Sequence, residues 1–212
     1  MSTGSQPHLL WGKTSPLAAL SWGGLIIMSS TRLAYALIVV GALLWVSNIS
    51  ALIYQATSRR FFPLKGKSIC QTFLASFTAG LYLLVLWFLS PMTALEVFFI
   101  VSLVPLFCTA SGIFKRIESL DISDSVSRAF AEAAVLGVII ILFAIVREPL
   151  GYLSLSLPGG SGGIFLLFSF ETESFLPVRI IASSSGALLL LGYGVGLYRY
   201  FRKINAPRET DV

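Results

Sequence analysis

The sequence predicts an all-α integral membrane protein, and three observations lead to this prediction. Hydrophobic residues make up 56% of the 212-residue chain, charged residues make up only 12%, and the mean hydropathy is +0.85. The apolar residues are gathered in runs that approach the roughly 20 residues a helix needs to cross a bilayer. The basic residues flank these runs and form no continuous basic face. A soluble domain is therefore excluded, and no nucleic-acid partner is expected.

Six apolar runs are predicted to cross the membrane. They lie at about 16–28, 33–54, 69–89, 95–113, 129–146 and 179–198. The first run is short and contains Gly23 and Gly24, and the fourth is interrupted by Pro105, so we expect both helices to be short or broken. A signal peptide is disfavoured for the first run, because only Lys13 precedes it as a fixed positive charge and no cleavage site with soluble sequence behind it follows.

The connection between the fifth and sixth runs, residues 152–178, is long. It combines the glycine-rich turn "PGGSGG" with an apolar patch, Ile164 to Phe170, that is too short to span a bilayer. We predict a long interfacial loop with a re-entrant or surface piece, mostly outside the hydrocarbon. No helix pattern with a lysine and a serine or threonine follows the turn, so a phosphate-binding loop is excluded.

Lysine and arginine residues are distributed unequally between the two ends of the six predicted crossings. Twelve of the fifteen lie on the side that carries both chain ends, and three lie on the other side. Cytoplasmic loops carry the excess of basic residues in membrane proteins. The sequence therefore predicts a multi-pass protein of a bacterial-type inner membrane with both termini in the cytoplasm.

The chain is predicted to form one transmembrane domain over residues 1–212, built from two inverted repeats of three helices. Its parts are a polar leader at 1–13, a first repeat at 14–89, a second repeat at 92–201 that includes the loop 152–178, and a polar tail at 202–212. Each repeat begins with a short or broken segment. Paired broken helices in an inverted repeat indicate a site near the bilayer midplane, because freed backbone groups are tolerated there only inside protein or along a cavity.

Cys108 is the candidate site residue of the fourth run. It lies between Pro105 and the small residues at 109–112, which permit close approach of another helix. An unpaired cysteine in an apolar helix is also an ordinary small core residue. The other cysteine, Cys70, begins the third run near a cationic loop, and the spacing of the two thiols matches neither a zinc site nor a redox pair.

Polar residues of the fifth run offer further candidates. Glu132 could form a buried cation site or an ion pair with Arg128 one turn earlier, and the ion pair is the favoured interpretation. Arg147 and Glu148 could hold a loop or face a partner. The only histidine of the sequence, His8, lies in the polar leader, so no hydrolytic triad and no catalytic residue are predicted.

Three stretches of the sequence resemble the six-helix membrane subunits of the Rnf-type ferredoxin:NAD oxidoreductases and of the sodium-pumping NADH:quinone oxidoreductases. They are "TSPLAALSWGGLIIMSST", "VSLVPLFCTASGIFKRIES" and "LFAIVREPLGYLSL", and the resemblance covers roughly residues 14–155. In that family two related subunits pair with opposite orientations, and cysteines on the broken first and fourth helices of both bind one iron-sulfur cluster near the midplane. Cytoplasmic termini make this chain similar to the E-type Rnf subunit and the D-type subunit of the sodium pumps.

The resemblance implies a function and a cofactor site. The chain would be a membrane subunit of a complex that couples electron transfer from ferredoxin or NADH to sodium or proton translocation, and not an enzyme alone. Its partners would be the bilayer, a paralogous six-helix subunit and other redox subunits. Cys108 would bind iron of a shared [2Fe-2S] cluster, although Gly23 or Gly24 stands where the family's first-helix cysteine is expected. The alternative is a non-redox scaffold subunit or small-solute permease of the same fold.

Overall fold

The computed structural model describes residues 16–61, 67–117, 120–159, 163–169 and 179–204, which are mostly helical. The helices are α1 (Pro16–Ser29), α2 (Leu33–Phe61), α3 (Lys67–Leu89), α4 (Pro91–Ser102), α5 (Val104–Ala110), α6 (Ile113–Ile117), α7 (Ile122–Tyr152), α8 (Arg179–Ala182) and α9 (Ser184–Ile204). The strands are β1 (Ser154–Pro158) and β2 (Ile164–Ser169). The leader, the tail and part of the predicted long loop lie outside the described residues.

Four segments of the described chain are long and apolar enough to cross a membrane. They are Leu33–Thr57, Ile69–Leu89, Pro91–Ala110 and Ile122–Tyr152, which correspond to the second to fifth predicted crossings. The helix α1 has 14 residues and is therefore about 21 Å long, which is less than the roughly 30 Å of hydrocarbon. The apolar part of α9, Ser184–Leu197, is also short. These helices are those of a multi-pass membrane protein.

The first predicted crossing is short, as expected, but it is not broken. The helix α1 runs without interruption through Gly23 and Gly24. Glycine lowers helix propensity by about 1 kcal/mol relative to alanine, but it keeps its backbone N–H, so the hydrogen bonds of the helix are retained. The two glycines therefore lie within a continuous helix.

The fourth predicted crossing is broken on either side of Pro105. At Leu103, where α4 ends, the N–H donates to the carbonyl of Ile100 at 3.1 Å. Pro105 lies in the first turn of α5, where a missing N–H costs nothing. The second break is at Gly112, whose φ of +72° is readily adopted only by glycine. The segment is thus divided into α4, α5 and α6.

The core of the bundle is built around α2 and α7, which pack along each other. Their approach is close at Gly137 of α7, where an added Cβ would lie 2.8 Å from Cγ1 of Val40 on α2. The helix α1 contacts α5, α7 and α9, and α3 contacts α2, α4 and α5. Most of the surface of α3 is exposed, as expected for a helix that faces lipid.

A β-hairpin occupies part of the region that the sequence analysis interpreted as a loop, so the all-α prediction is incomplete. The strands β1 and β2 are antiparallel, with Ser154 opposite Ser169 and Pro158 opposite Ile164. The strand β1 packs on α2 and α7. The alternation of leucine and serine at 153–157 is the period of two that indicates a strand, but it extends over only five residues.

The chain turns sharply between α8 and α9 at Ser183, and this turn requires a glycine. A Cβ added at Gly186 would lie 2.0 Å from the carbonyl oxygen of Ile180 and 2.6 Å from Cα of Ile181, both backbone atoms. The turn also packs on the end of α7, where a Cβ at Gly151 would lie 2.9 Å from Cβ of Ala182. Neither glycine has room for a side chain.

We therefore expect Gly186→Ala to lower the free energy of unfolding, because the new methyl group overlaps backbone that has no rotamer to change. Overpacking of this kind costs about 1–3 kcal/mol or more. Gly192→Ala is the matched control in the same helix, since no atom lies within 4 Å of its added Cβ, and it should be neutral or stabilise by up to about 1 kcal/mol. Thermal denaturation of both variants in detergent measures the difference. Equal midpoints would contradict the tight turn.

Candidate functional site

Cys108 lies inside the bundle, on the short helix α5. Its exposed fraction is 0%, and Phe107 and Val104 of the same helix are buried with it. The hydroxyl of Ser111 donates to the Cys108 carbonyl at 3.2 Å. The helix α5 packs against α1, so the two short segments that the sequence analysis paired are in contact. Cys70 is only half-buried, on α3.

The described residues do not by themselves form the [2Fe-2S] site that the resemblance implies, and Cys108 as a ligand of a shared cluster stays a prediction. Such a cluster takes four ligands, mostly thiolates, and no three His, Cys, Asp or Glu side chains of the described residues lie together as a metal would require. Gly23 and Gly24 offer no ligating atom. The chain's own side chains enclose Cys108. Its packing is that of a small apolar side chain.

A polar site that joins several helices is centred on Arg147 of α7. The Arg147 side chain is fully buried. Nε, Nη1 and Nη2 of its guanidinium together carry five N–H groups, which match five acceptors. The acceptors are the carbonyls of Ile181 (3.0 Å), Ile27 (2.5 Å), Ala182 (2.8 Å) and Ser183 (3.0 Å) and the hydroxyl of Ser30 (3.1 Å). The side chain therefore connects the end of α1, the interior of the bundle and the turn between α8 and α9.

The location of these acceptors explains why an arginine is present. The last carbonyls of a helix have no partner within the helix and carry partial negative charge. Arg147 binds such carbonyls at the end of α1 and at the end of α8. Arginine is suited to this role because its planar fork directs several N–H groups at once, which the single ammonium of lysine does not.

Glu148, the next residue of α7, binds the opposite kind of helix end. Its Oε2 accepts the backbone N–H of Leu33, the first residue of α2, at 2.7 Å. A carboxylate is favourable there because the first N–H groups of a helix are unpartnered and partly positive. Glu148 is fully buried, and its Oε1 has no hydrogen-bond partner among the described residues. We call these two residues and their partners the Arg147–Glu148 clamp.

A second buried cluster lies at the other end of α2 and α7. Gln55 of α2 donates through Nε2 to the carbonyl of Ile117, the last residue of α6, and to Oγ of Ser125 at 2.9 Å. Ser125, in the first turn of α7, donates to the same carbonyl at 3.1 Å. This cluster joins the end of α6 to the start of α7, as the Arg147–Glu148 clamp joins the end of α1 to the start of α2.

Glu132 is an ion-pair residue, which confirms the favoured interpretation, but its main partner is not the predicted one. Arg116 of α6 binds both carboxylate oxygens, with Nε 2.8 Å from Oε1. Arg128 lies farther away, with Nε 3.9 Å from Oε1. Arg116 also donates to the carbonyl of Ser111 at 2.7 Å, across the turn at Gly112. The sequence shows only the neighbour on the same helix, whereas this turn directs Arg116 back to α7.

Gln55 and Ser125 were not recognised from the sequence. A glutamine near the end of a long apolar run is a usable signal, because an amide inside a membrane-spanning helix is costly without a partner. The residue that would receive its hydrogen bonds could not be inferred, since Ile117 is apolar and contributes only its carbonyl.

No protein-family model matches the chain, and no curated protein matches it. The resemblance to the Rnf and sodium-pump subunits thus rests on the three quoted stretches of sequence and stays a prediction.

We expect Arg147→Met to destabilise the protein by at least about 3 kcal/mol, because it leaves several buried carbonyls unpartnered at about 1–3 kcal/mol each. Arg147→Lys should recover only part of this loss, since three N–H groups from one nitrogen cannot reach both helix ends. The measurement is unfolding of the purified protein in mixed micelles.

Arg128→Met serves as the control, because it removes a half-exposed arginine of the same helix. An exposed ion pair contributes about 0–1 kcal/mol, so this variant should unfold almost as the parent does. Similar losses for Arg147→Met and Arg128→Met would show that the clamp does not hold the helices.

Proposed function

We propose that the protein is a membrane subunit of an Rnf- or sodium-pump-like complex that couples electron transfer to sodium or proton translocation. Within that complex it contributes helical scaffold and contact surface, and the redox centres belong to other subunits. The observation that carries the proposal is the exchange of polar contacts between the two halves of the chain, which an inverted repeat of this family would produce. The proposed crossings include α1 and α9 as the first and sixth.

The contacts between helices support an inverted repeat. If α1, α2 and α3 correspond to α4–α6, α7 and α9, each helix contact between the halves should have a counterpart. The contact of α1 with α7 then corresponds to that of α2 with α5, and the contact of α1 with α9 corresponds to that of α3 with α5. The contacts α1–α5 and α2–α7 relate each pair of equivalent helices directly.

The two buried polar clusters support the same relation. Arg147, on the second helix of the second half, binds the end of the first segment of the first half at Ile27. Gln55, on the second helix of the first half, binds the end of the first segment of the second half at Ile117. Because α2 and α7 are antiparallel, these clusters lie at opposite ends of the bundle, as inversion requires.

The environment of Cys108 supports the proposed scaffold role. A residue that passes electrons to a partner subunit needs a cofactor at or near the shared surface, and this thiol is enclosed by its own chain. What the chain offers to a complex is its exposed apolar helix surface and a bundle whose helix ends are joined by the Arg147–Glu148 clamp.

The first test is purification from native membranes through an affinity tag after Val212. We expect the chain to copurify with a second six-helix subunit of opposite orientation and with redox subunits. The readout is identification of the copurified chains by mass spectrometry, with an untagged strain as the control. A stable monomer that transports a small solute unaided in proteoliposomes would contradict the proposal and favour a permease.

The second test is Cys108→Ala in the same purified complex. Iron content, the iron-dependent EPR signal and turnover should remain at the parent level, because the variant removes only a buried thiol at a cost of about 1 kcal/mol. Cys70→Ala provides the comparison for a cysteine outside the core. Loss of the EPR signal in Cys108→Ala alone would assign the thiol to an iron site and contradict the scaffold role.

A further inference from the structure

The strand β2 presents an apolar surface that the rest of the described chain does not cover. Phe165, Leu166 and Phe168 are 58%, 56% and 60% exposed, and Leu167 is 39% exposed. No charged residue occurs between 153 and 169. Single exposed apolar residues are ordinary, but a contiguous apolar patch indicates a surface that another phase or molecule covers.

The position of the hairpin relative to the helix ends limits what can cover it. Its first strand begins at Ser154, directly after Leu153 and the end of α7. Gly163, directly before β2, lies at the connection between α3 and α4, where an added Cβ would be 3.3 Å from Oγ of Ser90 and 2.0 Å from Oγ1 of Thr93. The hairpin therefore lies along one end of the bundle and does not run through the membrane.

The helix ends beside the turn present a similar surface. Phe88 and Leu89, the last two residues of α3, are 80% and 78% exposed, and Met92 in the first turn of α4 is 65% exposed. These residues belong to segments that are long and apolar enough to cross a membrane, so their exposed sides face lipid. The apolar side chains of β2 continue this lipid-facing surface past the helix ends.

The backbone of β2 limits how deeply the strand can enter the bilayer. Within the described part of the chain β2 pairs only with β1, so its outer edge carries N–H and C=O groups without strand partners. Such an edge is not tolerated in hydrocarbon, where nothing hydrogen-bonds it, and it is readily solvated among lipid headgroups. The side chains favour hydrocarbon and the backbone favours water, and the boundary between headgroups and acyl chains provides both.

We propose that β2 is a membrane-interface element whose Phe165 and Phe168 side chains enter the headgroup and acyl boundary of the adjacent leaflet. The occupant of the apolar patch is the lipid surface itself. This inference does not depend on the proposed electron-transport function, because it rests only on the exposure, position and pairing of the hairpin.

The test is the collision of a nitroxide label with membrane-soluble oxygen and with a water-soluble nickel chelate. The full chain, with Cys70→Ser to remove the partly exposed thiol, carries the label at Phe168→Cys and is reconstituted into phosphatidylethanolamine and phosphatidylglycerol nanodiscs. Leu84→Cys in the middle of α3 is the lipid reference, and Asp124→Cys at the exposed start of α7 is the water reference. Phe165→Cys provides a second, independent label on β2.

We expect both β2 labels to collide less often with the nickel chelate, and more often with oxygen, than the label at Asp124 does. The ratio of the two collision rates should place both labels at a shallower depth in the bilayer than the label at Leu84. Nickel collisions equal to those at Asp124 would place β2 in water and overturn the proposal. Loss of collisions with both reagents would show that protein covers the strand, which would overturn it equally. Both labels replace exposed side chains, so neither opens the core.

Discussion

The rest of the structure depends on the pairing of two buried, adjacent charges with the ends of other helices. Arg147 and Glu148 lie on one turn of α7, yet one side chain binds carbonyls and the other binds an N–H. A buried charge is very costly unless it is paired or hydrogen-bonded. The five N–H groups of Arg147 and one carboxylate oxygen of Glu148 have such partners. The last turns of α7 therefore hold three other elements in place by hydrogen bonds: the end of α1, the start of α2 and the turn before α9.

The same requirement explains the other polar contacts of the bundle. Each break in a helix frees carbonyls, and in a bilayer no water is available to bind them. The turn at Gly112 is bridged by Arg116, and the end of α6 is bound by Gln55. In each case the donor comes from a neighbouring turn or helix, so breaks that would weaken an isolated segment become points where helices are joined. A short α1 is accommodated in this way.

Two properties of the chain bear on the proposed scaffold role. The interior is closed around Cys108, on the helix between the two breaks of the fourth predicted crossing. The exterior is broadly apolar, on α3 and on the hairpin, and its surfaces are suited to lipid and to other membrane helices. A closed interior with an apolar exterior is consistent with the proposed scaffold role, and the antiparallel helices α2 and α7 pack against each other at the centre of the bundle.

The sequence by itself determined that this is a membrane protein and where its long helices lie. The reason is that the free energy of placing an apolar run in hydrocarbon is a sum over the residues of that run. Four of the six predicted runs are long helices. It also indicated an ion pair for Glu132, and for Arg147 and Glu148 it left a loop contact and a partner contact as alternatives. Only the tertiary structure decided their partners. Arg147 and Glu148 bind mainly backbone groups at the ends of other helices, which side-chain patterns do not reveal, and Arg116 is brought to Glu132 by the turn at Gly112. The hairpin was likewise decided by packing of β1 on α2 and α7, because five alternating residues are too few to specify a strand alone.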